Sequence, residues 1–291
     1  MSRWLRRIGY GLAGVVSLLV LAVAVLYAIT SSDLRRRYRL PGVPVPAATD
    51  SSSLARGKHL VEVIGKCQEC HGEDYGGKVM VDAPMFGRLA GRNLTRGRGG
   101  IGDYNDEDWE RAIRHGVAKD GRPLIFMPSE AYTVMGDAEL AAVVGYLRAR
   151  PPVDRETPAP RVGPIARALY LGGNFPLLPV KVIDHDATRR PPVPGVSVEY
   201  GKYLATLGGC RSCHGSDLAG TGDPAAPDLT RSRLAAWTEA DFFRSLRQGQ
   251  RPDGSVVDPE KMPWLRSGRM TDDEIRAVWL YIRSLPGRRT T

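Results

Sequence analysis

Cysteine is scarce in this chain, with only four among 291 residues. All four fall in two pentapeptides, Cys67-Gln68-Glu69-Cys70-His71 and Cys210-Arg211-Ser212-Cys213-His214, which leaves no thiol for a disulfide elsewhere. There is no glycine-rich dinucleotide fingerprint, no βαβ pattern, no nucleophile set beside a base and no recognisable signalling domain. These absences argue against a nucleotide-dependent enzyme, a covalent catalyst and a sensor. The formal charge of +9 would by itself suit acidic partners, anionic lipid or nucleic acid, but no nucleic-acid motif accompanies it. What remains is a globular composition, 42% hydrophobic and 25% charged, with enough length for two ordinary domains. The 22 prolines and 33 glycines imply many loops.

From Ile8 to Thr30 runs an apolar stretch of about 23 residues without a charge, long enough to cross a bilayer as a helix. Arg3, Arg6 and Arg7 precede it and favour an N-terminus held in the cytoplasm, whereas Arg35, Arg36, Arg37 and Arg39 follow it and argue the other way. Its length exceeds the apolar region of a cleaved signal peptide, so residues 1–32 are expected to stay as a membrane anchor. Proline and small polar residues make 33–53 a linker and 152–197 a connector.

The segments on either side of that connector, 54–151 and 198–291, repeat features in one order. Gly57-Lys58 and Gly201-Lys202 lie in a short amphipathic helix, followed in each copy by Cys-x-x-Cys-His. Asn93-Leu94-Thr95 and Asp228-Leu229-Thr230 come next, and then the helix starts Asn105 to Asp108 and Thr238 to Asp241, which have capping-box character. Met127-Pro128 and Met262-Pro263 lead to a closing helix in each copy. Its apolar face is Leu140, Val143, Val144 and Leu147 in the first, and Ile275, Val278, Trp279 and Ile282 in the second. Two domains built on one plan explain this order.

A Cys-x-x-Cys-His pentapeptide attaches c-type haem, because two thiols about one turn apart each bond one vinyl group and the adjacent histidine falls beneath the iron. A four-cysteine zinc site would place its pairs about 15 to 20 residues apart, and here far more chain intervenes. The covalent attachment residues are therefore Cys67 and Cys70, and Cys210 and Cys213, for two haem c groups, with His71 and His214 as axial ligands. A six-coordinate electron carrier needs a second axial ligand, and methionine supplies one that raises the potential. Met80, Met85, Met127 and Met135 compete in the first copy, and Met262 and Met270 in the second. Met135 and Met270 sit just before the closing helices, where a staple to Leu140 and Ile275 accounts for them. Met80 and Met85 lack counterparts and read as packing residues. Met127 and Met262, each before proline in an inter-helix loop, are the expected ligands. Of the other histidines, His115 aligns with Gln248 and is not needed for shared ligation. His59 reads as a surface or haem-edge residue, and His185 as a residue of the domain interface.

With these residues in place, the chain resembles the class I cytochrome c fold twice over, and is similar to membrane-bound dihaem cytochromes that serve periplasmic alcohol or aldehyde dehydrogenases. The resemblance implies an all-α architecture, tandem cytochrome c domains after an N-terminal transmembrane helix. It implies His71 and His214 as proximal ligands and Met127 and Met262 as distal ones. It also implies electron transfer between a redox donor, such as a dehydrogenase, and a respiratory acceptor, an oxidase or quinol enzyme. A family proline commonly offers its carbonyl to the proximal histidine. Pro227 fits that role, whereas the matching position in the first copy is Arg92, so Pro84 or another carbonyl would substitute there. Many relatives carry three haem motifs, and this chain has two. Haem c is attached outside the bacterial cytoplasmic membrane, so the expected placement is N-terminus inside with both haem domains in the periplasm. The alternative is a peroxidase-like dihaem enzyme, against which two equivalent methionine loops count. Arg88, Arg92, Arg96 and Arg98 are candidates for docking an acidic partner.

Overall fold

The apolar N-terminal run forms one helix, α1 (Arg3–Arg35), in a computed structural model that describes residues 3–287 apart from Pro224. From Ile8 onward its side chains stay exposed until Leu26, Thr30 and Ser31 begin to meet the rest of the protein. At 1.5 Å per residue its uncharged part spans roughly 34 Å, the thickness of a bilayer core.

The first repeat begins at α2 (Ser51–His59), whose N-cap Asp50 accepts a hydrogen bond from the Ser53 amide. The helix widens into a π-helical turn at Leu60–Ile64 before α3 (Gln68–His71). Strands β1 (Lys78–Ala83) and β2 (Gly87–Gly91) follow, then α4 (Asp106–His115), α5 (Ser129–Tyr132) and the closing helix α6 (Asp137–Arg148). The connector supplies β3 (Arg161–Val162) and α7 (Pro164–Leu171). The second repeat is α8 (Val198–Leu207), α9 (Cys210–His214), α10 (Glu239–Gln248), α11 (Trp264–Ser267) and α12 (Asp272–Ser284). The expected capping boxes close at Asn105 with Asp108 and at Thr238 with Asp241.

In each repeat the first and last helices cross where the earlier one carries glycine. A Cβ on Gly57 would lie 2.0 Å from the Ala142 carbonyl oxygen, and one on Gly201 would lie 1.9 Å from that of Ala277. Only glycine lets the two backbones approach this closely. Around the crossings, Leu60, Ile64, Leu140, Val144 and Leu147 of the first repeat and Leu204, Leu207, Ile275 and Ile282 of the second belong to one continuous core. Met135 and Met270 are buried in it, immediately before the N-caps Gly136 and Thr271, as the staple argument requires.

Two features depart from the sequence reading. The architecture is predominantly helical, but β1, β2 and β3 form a small antiparallel sheet in the order β1-β2-β3. Its glycines Gly87 and Gly91 and its lack of a clean alternation hid it from a periodicity argument. The proline-rich segments are also packed rather than loose. Val45 is buried and the Ala48 amide donates to the Ala141 carbonyl, while Val162, Ala166, Leu177, Leu178 and Val180 form a second small core with Val117.

Candidate haem sites

Each pentapeptide is one helical turn followed by a left-handed glycine, Gly72 at φ 80° and Gly215 at φ 85°. Beyond it the two backbones continue to match. The Gly77 amide donates to the His71 carbonyl and the Gly220 amide to that of His214, both at 2.8 Å. The Leu94 amide donates to Tyr75 and the Leu229 amide to Leu218, again both at 2.8 Å. Tyr75 and Leu218 themselves hold positive φ, 58° and 60°. The repeat is thus preserved down to strained residues, which persist only where surrounding structure determines them.

The four thiols are unpaired. Burial, reinforced by the neighbouring Cys70, pushes the Cys67 thiol up to about 12, and burial raises Cys70 and Cys210 as well. His71 Nδ1 bonds the Arg92 carbonyl at 2.7 Å, and His214 Nδ1 bonds the Pro227 carbonyl at 2.8 Å. Burial holds both imidazoles below their ordinary value although the carbonyls work against it, so both rings are neutral at pH 7. A carbonyl acceptor fixes Nδ1 as the protonated nitrogen and leaves Nε2 with its lone pair for a metal, which is the arrangement a ligating histidine needs. Two thiols on one turn with such a histidine beside them fit haem c. The carbonyl expected of a substitute such as Pro84 is supplied by Arg92 itself, since a main-chain oxygen does not depend on its side chain.

Met127 and Met262 both pack partly buried against the core. Each is followed by proline in almost the same conformation, φ −77° and ψ 54° at Pro128 and φ −78° and ψ 55° at Pro263. In each, the amide two residues on returns to the methionine carbonyl at 2.7 Å, Ser129 to Met127 and Trp264 to Met262. This is an inverse γ-turn, and proline sets its φ in advance. Tyr132, just beyond the first turn, donates to the Gly65 carbonyl at 2.8 Å and ties that loop to the stretch before Cys67.

The loops leading into these turns differ in their cover. The Phe126 amide donates to Leu177 at 2.9 Å and its ring stacks on Phe175 with centroids 5.1 Å apart, so the connector lies over the first loop. Val256, in the corresponding second loop, is exposed.

The sequence reading missed several polar contacts. Arg114 and Arg247 occupy one position in the repeat. They reach the Met135 and Met270 carbonyls and the carboxylates of Asp137 and Asp272, fastening the fourth and tenth helices to the start of the closing ones. Arg56 pairs with Glu139 of its own repeat and reaches across to Glu274 of the second, His59 Nε2 lies 2.8 Å from Glu274, and Tyr203 donates to Glu139. His59 and Tyr203 are equivalent positions, so each repeat sends the same helix position to the same carboxylate of the other. Arg266 follows the second methionine turn and bonds Glu69 at 2.6 Å, inside the first pentapeptide. Because sequence separations of 64 to 218 residues divide these partners, no local pattern announces them. His115 and His185 meet away from the pentapeptides, their Nδ1 atoms 2.8 Å apart, and join the connector to the first repeat. Arg88 is paired with Asp82, while Arg92, Arg96 and Arg98 are exposed.

The family model described as cytochrome C oxidase, cbb3-type, subunit III matches residues 52–147 and 201–282. The fructose dehydrogenase cytochrome subunit of Gluconobacter japonicus is 25% identical, over 85% of this chain and 56% of that protein. The gluconate 2-dehydrogenase cytochrome c subunit of Pantoea cypripedii is 29% identical, over 80% of this chain and 59% of that protein. The alcohol dehydrogenase (quinone) cytochrome c subunit of Gluconacetobacter polyoxogenes is 27% identical, over 81% and 57%. The chain thus spans a little over half the length of these relatives. Since both matched stretches contain a complete pentapeptide held in the geometry described above, the chain belongs to this cytochrome c family, whose members bind haem c covalently.

Proposed function

We propose that the chain is a dihaem electron carrier working beside a dehydrogenase. Cys67 and Cys70 would hold one haem c covalently, with His71 and Met127 to ligate its iron, and Cys210 and Cys213 would hold a second, with His214 and Met262. Residues 54–151 and 198–291 each hold one. The observation that supports this most directly is the repeated pairing of a pentapeptide turn with a methionine inverse γ-turn, identical in hydrogen bonding in both repeats. Bound haem supplies a one-electron redox couple, and His/Met ligation places it at high potential.

The chain's own residues prepare that couple. Arg92 and Pro227 carbonyls hold the imidazoles in one tautomer and orientation, and Pro128 and Pro263 hold each methionine where a loop would otherwise wander. The arginine clamps at Arg114 and Arg247 fasten the helices that precede those loops to the closing helices that follow them. The helix α1 confines both haem domains to the outer face of the cytoplasmic membrane, where a respiratory acceptor meets them at high effective concentration. The relatives' names point to a sugar, alcohol or sugar-acid dehydrogenase as the donor.

Pyridine haemochrome assay of the purified protein should give two haems per chain, retained through acid-acetone extraction. Met127→Ala and Met262→Ala should each open one haem to carbon monoxide in the reduced state, and the wild type should bind little. Carbon monoxide binding unchanged in either variant would overturn that methionine's assignment.

A further inference from the structure

We propose that α7 is a second membrane contact, lying in the outer interface of the bilayer beside the end of α1 and fixing the orientation of the haem domains. The proposal rests on the reading of α1 as a membrane span. A helix on the surface of a water-soluble domain turns its charged residues outward and its apolar stripe to the core. In α7 this is reversed. Its sole charged residue, Arg167, points inward, donating to the Val162 carbonyl, Thr30 Oγ1 and Ser31 Oγ, and lies over the Tyr27 ring at 4.3 Å. The outward face is Ile165, Ala168, Leu169 and Gly172, at the i, i+3, i+4, i+7 spacing of one stripe, with Leu171 beside it. Ile165 is 45% exposed, Leu169 38% and Leu171 45%. The stripe extends to Met85, 57% exposed, whose carbonyl accepts the Ile165 amide at 3.1 Å.

Position identifies what covers this face. Arg167 and Tyr170 bind Thr30, Ser31 and Asp33, the residues at which the apolar run of α1 ends, so α7 sits at the depth where the span leaves the hydrocarbon. On α1, Tyr27 and Ile29, in the turn just before those residues, are exposed as well. Beside it a cleft of about 450 Å³ opens between Tyr27, Leu34, Ile125, Pro160, Pro164 and two arginines, Arg161 and Arg167. The exposed Arg35, Arg36, Arg37 and Arg39 follow at once, where anionic headgroups would meet them. A lipid surface matches this order of apolar stripe, interfacial tyrosine and cationic cluster.

The test uses the full-length holoprotein in liposomes of equal parts phosphatidylethanolamine and phosphatidylglycerol. Because all native cysteines are taken up by haem, a nitroxide can be attached to single introduced cysteines at Ile165→Cys, Leu169→Cys, Val20→Cys and Val256→Cys. Accessibility to oxygen is compared with accessibility to a water-soluble nickel chelate. The expected result is a several-fold higher oxygen-to-nickel ratio at positions 165 and 169 than at 256, approaching that at 20. Labels at 165 and 169 that match 256 while 20 reports lipid would overturn the proposal and leave the span intact. A label at 20 that also reports water would overturn the span, and this proposal with it.

Discussion

Lys66 Nζ donates to the Gly208 carbonyl at 2.6 Å and to that of Ile64 at 3.1 Å, so a single side-chain nitrogen joins the approach to the first pentapeptide to the approach to the second. Lys66 holds φ 51°, and Gly209, at the matching place before Cys210, holds φ 73°. The left-handed conformation before the cysteines is therefore common to both repeats. One repeat meets it with glycine, and the other carries a strained lysine whose side chain crosses to its neighbour. Left-handed backbone costs a non-glycine residue about 1 to 2 kcal/mol.

Lys66→Gly and Lys66→Met separate those two effects. Both remove the bridge and strand the Gly208 carbonyl, a loss of about 1 to 3 kcal/mol, but glycine also removes the strain. Guanidinium unfolding should rank Lys66→Met as the less stable of the two. The reverse order would mean that packing of the side-chain stem, which methionine keeps, outweighs the backbone strain.

Glu274 gives the interface between the repeats a pH dependence. Burial pushes its carboxyl up, but the His59 hydrogen bond, the Thr271 amide and Arg56 outweigh burial and hold it below the ordinary carboxylate value. A depressed carboxylate contributes stability above its unfolded value and loses it as pH falls through the folded one. Glu274→Gln should lower stability at neutral pH by about 1 to 3 kcal/mol and flatten the loss below the ordinary carboxylate range. Denaturant midpoints measured across that range check both effects.

Met135→Ala and Met270→Ala should each destabilise the holoprotein by about 2 to 5 kcal/mol, since both side chains are buried in the core and would leave cavities. Neither should alter the visible spectrum or the carbon monoxide response. A new carbon monoxide complex in either variant would move the axial ligand about eight residues along that repeat.

The amides of Leu124 and Val257 make the same hydrogen bond, to Gly116 and Gly249 at 2.7 Å, in loops that precede the two methionines. Only the first loop is covered by Phe175 and Leu177, so native-state hydrogen exchange should protect Leu124 more strongly than Val257. Equal protection would show that the connector adds nothing to the rigidity of the Met127 loop.

Much of the fold lay in local pattern. The Cys-x-x-Cys-His spacing, the apolar faces of the closing helices, both capping boxes and the Met-Pro steps involve residues within a few positions of each other, and their chemistry is decided at that range. The position of α1 was legible because an unbroken uncharged apolar run is itself a local pattern. The ordered repeat carried the correspondence of the two sites as far as matched backbone hydrogen bonds that no single copy would have suggested.

Packing alone decided the rest. That Arg92 could serve His71 as Pro227 serves His214 followed from where the main chain runs, because a carbonyl is present at every residue and its direction is absent from the sequence. The crossed contacts of Arg56 and His59 with Glu274 and of Tyr203 with Glu139 join surfaces of separate repeats, and such partners are chosen by docking over long separations. The connector read as a proline-rich spacer, yet it brings Phe175 over Phe126 and turns Arg167 inward beneath an apolar face. Eight residues with one charge have no inside or outside until the helix is placed against α1, and that placement determined which face was left bare.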